Sequence, residues 1–103
     1  MDNPFDPGYY DEHALRGFGF RAVGRDVRVA RNATIIGLPH IELGDHVRID
    51  GYTTLLAGEG GTLVLGSHIH IGAGCYIAAG AGVEIGDFGG LSQGVRIYSR
   101  SDD

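Results

Sequence analysis

The chain is 103 residues long, room for one domain but not two, and it carries a formal charge of −5 in which all 8 cations are arginine. Its 19 glycines, few prolines and 43% hydrophobic residues, rich in valine, isoleucine and leucine, exclude a helical bundle and a disordered chain. The acidic balance argues against a nucleic-acid binder, the single cysteine, Cys75, against a disulfide framework, and the absence of an apolar run near ~18 residues against a membrane span.

The first residues, MDNPFDPGYYDE, are acidic and lack an apolar core segment, which does not fit a signal peptide. With the lone cysteine, this predicts a cytoplasmic location. Residues 1–22 are predicted to form an N-terminal cap. Within it a short helix is expected around Tyr9–Leu15, stopped by Gly17 and Gly19, with Phe18 and Phe20 adding apolar cover.

From residue 23 to 103 the chain is repetitive. Aliphatic residues recur every six positions in groups of three: Val23, Val29, Ile35; Leu43, Ile49, Leu55; Leu65, Ile71, Ile77; Ile85, Leu91, Ile97. Valine, isoleucine and leucine make up only about a quarter of the chain, yet they fill all twelve positions. Glycine often follows at once, and a second small or apolar residue comes four positions later, as at Val27, Val47, Ile69 and Cys75.

A period of six in groups of three has a geometric meaning. Each unit is a short strand plus a corner, and three units close a triangular coil. Successive coils stack at the strand spacing of ~4.8 Å, with the aliphatics lining an inner column. The expected fold is therefore all-β: a left-handed parallel β-helix of about four triangular coils behind a short capping helix. A right-handed β-helix has longer, less regular arms, so the strict spacing favours the left-handed form; that handedness rests on the repeat and not on general topology rules. The extra residues between groups, near Ile41–Glu42, Glu59–Val64 and Val83–Glu84, are expected to widen the same corner of each coil. After Ile97 the chain stops at Asp103 with no capping element, which predicts a β-helix truncated at its C-terminal end.

Strand alternation assigns the outward positions. Two vertical columns result on the first side of the coils: Asp26, His46, His68, Phe88, and Arg28, Arg48, His70, Gly90. Such a ridge of arginine and histidine on an acidic protein suits a phosphorylated substrate, with a histidine as general base. A merely solvated face has the same composition. Cys75 falls at an inward position and reads as a buried, inert thiol. The glycine pairs at Gly58/Gly60, Gly72/Gly74 and Gly80/Gly82 do not complete a dinucleotide-binding spacing and read as corners.

The segments Gly17–Gly24, His46–Gly58, His68–Phe88 and Gly90–Asp103 resemble the hexapeptide-repeat acyltransferase superfamily. Within it they are most similar to acyltransferases acting on nucleotide-linked 4-amino-4,6-dideoxyglucose, then to galactoside-type O-acetyltransferases. The resemblance implies an acetyl-CoA or other acyl-CoA donor, a sugar-nucleotide acceptor, a homotrimer with sites between subunits, and a role in surface polysaccharide (O-antigen) synthesis, without a metal. His70 matches a histidine of the subgroup, which implies a catalytic base there. Arg48 and Asp50 match its VRID stretch and Asp102 and Asp103 its SDD stretch, and with His68 they are taken as substrate-binding residues. Asp102 stands where galactoside-type enzymes place their catalytic histidine, and the further coils of the family are absent.

Two other readings share the fold. One is a non-catalytic β-solenoid, a scaffold or a remnant. The other is a zinc enzyme of the γ-class carbonic anhydrase type, with His46, His68 and His70 approaching one metal from adjacent coils.

Overall fold

A computed structural model describes residues 3–99. Asp102 and Asp103 therefore lie outside the described residues. The chain order is β1 (Tyr9–Asp11), α1 (Glu12–Arg16), β2 (Ala22–Val23), β3 (Arg28–Ala30), β4 (Thr34–Ile36), β5 (Ile41–Leu43), β6 (Val47–Ile49), β7 (Thr54–Leu56), β8 (Leu63–Leu65), β9 (Ile69–Ile71), β10 (Tyr76–Ala78), β11 (Val83–Ile85), β12 (Gly90–Leu91) and β13 (Arg96–Tyr98).

From β2 onward every third strand joins the same sheet. The three sheets read β2-β5-β8-β11, β3-β6-β9-β12 and β4-β7-β10-β13, all paired in parallel. The register aligns the repeat: Ile35, Leu55, Ile77 and Ile97 pair in one file, and Val29, Ile49, Ile71 and Leu91 in another. This is the left-handed β-helix of about four turns.

The inner column is the core. Ile49, Leu55, Ile71 and Ile77 are fully buried, and Leu43 and Leu65 nearly so. Val23 and Ile35 in the first coil, and Ile85, Leu91 and Ile97 in the last, are only half-buried. Inner residues need a coil on each side to be enclosed, and only the middle coils have both. Cys75 is buried, and its thiol lies 3.1 Å from the Ser92 carbonyl oxygen.

One corner shows why glycine follows the aliphatic. A Cβ on Gly44 would lie 2.5 Å from the carbonyl oxygen of Gly66 in the next coil, a distance no side chain tolerates. The following residue then ties the coils together. The Arg25 N–H donates to Asp45 Oδ1, the Asp45 N–H to Ser67 Oγ, and the Ser67 N–H to Asp87 Oδ1, at 2.8–2.9 Å. These bonds satisfy corner amides that the strand ladder does not reach.

The extra residues do widen one corner, between the β4 and β5 files. A single 3-10 turn, Leu38–His40, fills it in the first coil, a Gly58–Gly61 bridge in the second and a Gly80–Ala81 turn in the third. They lie a few residues earlier than the spacing alone suggests.

The N-terminal cap differs from expectation. The helix is confined to Glu12–Arg16, with the Asp11 carboxylate accepting from the Ala14 N–H at its start and buried Leu15 closing the first coil. Tyr9–Asp11 is not helical. It is an antiparallel strand on the open edge of β3, with Tyr9 opposite Ala30. Two tyrosines and the helix-capping aspartate favour an extended strand, and the exposed edge supplies its hydrogen bonds.

Candidate functional site

The two predicted columns exist, and they stand on the sheet formed by β3, β6, β9 and β12. Arg28, Arg48, His70 and Gly90 are laterally paired, one per coil. Asp26, His46, His68 and Phe88 sit just before these strands, at a corner where each has positive φ, between 55° and 63°. Strand alternation therefore gave the right outward column through the wrong backbone, because these four are corner residues and not extended ones. The left-handed conformation costs each of them some energy. The inter-coil bonds from His46 N to Arg25 O, His68 N to Asp45 O and Phe88 N to Ser67 O hold the corner in place.

At this corner the side chains stack at the coil spacing. The rings of His46 and His68 lie 4.8 Å apart and 21° from parallel. His46 Nδ1 is 2.9 Å from Asp26 Oδ2. That hydrogen bond, with the imidazole and Arg28 nearby, holds the Asp26 carboxyl below its ordinary range. Together with Val47, Ile69, and Arg28, Arg48 and His70 of the second column, these side chains line a shallow groove of 280 Å³.

The second column carries a tighter cluster. Asp50 follows β6, and its side chain is only 19% exposed. Its Oδ1 accepts from the Tyr9 hydroxyl at 2.7 Å and from Arg48 Nε at 3.1 Å. Its Oδ2 lies 2.7 Å from His70 Nε2. Desolvation raises the Asp50 pKa, but the bonds from His70 and Tyr9 and the Arg48 charge outweigh it, so the carboxyl is held below its usual value. The same contact raises the Tyr9 pKa, because the phenol is donating to a carboxylate that would repel a phenolate.

Two contacts compete for the tautomer of His70. Arg48 Nη2 is 2.8 Å from His70 Nε2, and Asp50 Oδ2 is 2.7 Å from it. One nitrogen cannot accept from the guanidinium and donate to the carboxylate at once. An ionised carboxylate only accepts and a guanidinium only donates, so the two contacts favour opposite tautomers; the Nε2–H form is the one that keeps the shorter bond, to Asp50. In that form the Nδ1 of neutral His70 is unprotonated and has no hydrogen-bond partner among the described residues. His70 is half-exposed and lines the groove. Such an imidazole is able to accept a proton there.

Four of the six residues singled out from the sequence therefore lie together, Arg48 and His70 on one sheet and His68 and Asp50 at the ends of its strands. The Asp50 carboxylate is engaged by Tyr9, Arg48 and His70. The zinc arrangement is not formed. His46 and His68 face each other ring to ring, His70 turns to Asp50, and no group of three ligating side chains converges among the described residues. Tyr9 was missed, since no six-residue period reveals an antiparallel edge strand.

No family model matches the chain. It is 36% identical over 94 residues to a dTDP-4-amino-4,6-dideoxy-D-glucose acyltransferase of Escherichia coli, a match covering 91% of this chain and 48% of that protein. Among solved structures it resembles AntD, an N-acyltransferase from Bacillus cereus. A variant of AntD in complex with dTDP-4-amino-4,6-dideoxyglucose and coenzyme A superposes with a TM-score of 0.80 at 29% identity, over 89% of this chain and 48% of that one. AntD with dTDP and 3-hydroxybutyryl-CoA gives 0.75 at 31% identity, over 82% and 44%. The chain spans about half the length of these proteins. It is a homologue of the dTDP-amino-sugar acyltransferases, with the β-helix of the hexapeptide-repeat superfamily.

Proposed function

We propose that this chain is part of an acyltransferase that moves an acetyl or other acyl group from CoA to a nucleotide-linked amino sugar. The observation that carries the reading is the joint likeness, in sequence to a dTDP-amino-sugar acyltransferase and in structure to an N-acyltransferase bound to CoA and its sugar nucleotide. The groove supports it. Arg28 has no carboxylate within ion-pair distance among the described residues, and with Arg48 it offers positive charge to a diphosphate. In this reading His68, Arg48 and Asp50, with Asp102 and Asp103, belong to the acceptor side of the site.

The chemistry follows from the tautomer of His70. The sugar amine attacks the thioester carbonyl, forming a C–N bond. As the nitrogen becomes positive, its proton passes to the unprotonated Nδ1 of His70. Collapse of the tetrahedral intermediate breaks the C–S bond, and the departing thiolate takes the proton held on His70 Nδ1 to leave as free CoA. Backbone N–H groups at coil corners hold the oxyanion.

The same reading includes a homotrimer with sites between subunits, a cytoplasmic location, and a place in surface polysaccharide synthesis. Residues 1–22 act in it as the cap of the coil stack.

The test is to incubate the protein at its full gene length with acetyl-CoA or 3-hydroxybutyryl-CoA and a panel of nucleotide amino sugars, and to titrate released thiol. Thiol release that depends on one acceptor is expected. No release with any acceptor overturns the reading.

A further inference from the structure

We infer that Tyr9, delivered by the antiparallel N-terminal strand, is a positioning residue for the Asp50–His70 pair. The inference deepens the acyl-transfer reading and rests on it for its kinetic arm only.

The register supplies the geometry. Tyr9 pairs with Ala30, and Arg28 and Val29 pair with Arg48 and Ile49, so Asp50 follows directly on the strand beyond Ala30. A tyrosine on the edge strand must therefore reach across β3 to touch Asp50. It passes at the one position of β3 where the residue is alanine. The phenol ends 2.7 Å from Asp50 Oδ1, although 41 residues separate the two in the chain.

The consequence lies in how the two carboxylate oxygens are shared. Tyr9 and Arg48 Nε both take Oδ1, which leaves Oδ2 to His70. Arg48 Nη2 meanwhile sits 2.8 Å from the same His70 nitrogen. If Asp50 rotated, that guanidinium would become the partner of Nε2, and the proton would move to Nδ1. The imidazole would then present an N–H to the groove in place of a lone pair. Tyr9 opposes that rotation, because it holds Oδ1 from the side opposite the groove strands β6 and β9. It touches no substrate in this scheme. It acts through Asp50 on which nitrogen of His70 is free.

The rest of Tyr9's strand is anchored independently. Tyr10 packs edge-on against Phe18 at 5.0 Å, and Arg31 lies 4.5 Å over its ring. Removing the hydroxyl alone should therefore leave β1 in place.

The experiment compares wild type with Tyr9→Phe and with Asp50→Asn in the full chain, labelled with 15N-histidine. Above neutral pH, wild-type His70 is expected to be mainly the Nε2–H tautomer. Tyr9→Phe is expected to raise the Nδ1–H fraction severalfold, and Asp50→Asn to raise it further, with circular dichroism unchanged. In the acyl-transfer assay Tyr9→Phe is expected to lower kcat by roughly 10- to 100-fold, the scale of a misplaced catalytic group, with both KM values within about twofold. A His70 tautomer that is the same in wild type and Tyr9→Phe overturns the inference. If wild type releases no CoA, the acyl-transfer reading fails, and the tautomer measurement alone still decides the role of Tyr9.

Discussion

His68 and Phe88 stack with ring centroids 4.8 Å apart and planes within 4° of parallel. The stack follows from the backbone, since both residues occupy the same corner of successive coils and share the same left-handed φ. With His46 below, three rings form one file, of which His46 and His68 line the groove.

The file should be an energetic unit as well as a geometric one. Phe88 is 78% exposed, so little of its contribution comes from burial. Stacking of this kind adds about 0.5–1.5 kcal/mol beyond area burial. A double-mutant cycle with His68→Ala and Phe88→Ala, read by urea unfolding, should return a coupling of that size. Additive effects would mean that the rings are merely stacked by the coil rise and contribute nothing to each other.

Glycine is required at the neighbouring position by the close approach of coils, and the requirement should be local. In Gly44→Ala the new methyl meets the Gly66 carbonyl oxygen at 2.5 Å, so two coils must separate or twist. Overpacking of this kind costs about 1–3 kcal/mol. At Gly86, the same repeat position two coils on, nothing lies within 4 Å of the added Cβ. Gly86→Ala should change stability by no more than about 0.5 kcal/mol. Thermal melts of the two variants side by side decide the matter, and equal losses would contradict the close-approach explanation.

The inner column should weaken toward its ends. Ile71 is fully buried between coils, whereas Ile97 is half-buried in the last described strand. Truncating a buried isoleucine to alanine costs about 2–5 kcal/mol, by lost transfer energy and an unfilled cavity. Ile71→Ala should fall in that range, and Ile97→Ala clearly below it. Denaturant midpoints at constant m-value measure the difference.

The contrast between what the sequence revealed and what it concealed has one physical source. The inner files, the outward columns and the widened corner all repeat once per coil, so a period of six exposes them. Ile49 over Ile71 and Arg48 beside His70 follow from spacing alone. Tyr9 meets Asp50 through a single non-repeating pairing at the edge of the stack, which no periodicity encodes. The left-handed corner at His46 and His68 was hidden for a different reason: alternation predicts direction, and a corner residue can point outward as a strand residue does. The partners of Asp50 were hidden because they come from three separate stretches of chain.

The Asp50 cluster also predicts how stability depends on pH. The folded-state pKa of Asp50 is depressed, so between its folded value and the unfolded value of about 3.9 the unfolded chain binds more protons. The contribution of Asp50 is thus fully present above the unfolded value and is lost as pH falls through the folded one. Asp26 and Asp45 also titrate below their ordinary range, held by His46 and by the Arg25 N–H, so wild type alone would mix three groups. The difference between wild type and Asp50→Asn isolates one, since the other two carboxylates are common to both proteins. Unfolding free energies measured from pH 5 downward should show a constant wild-type advantage until the pH nears about 4, and a shrinking advantage below it. A difference that stays flat to pH 2, or grows as acid is added, would mean that the carboxylate charge is not what joins Tyr9, Arg48 and His70.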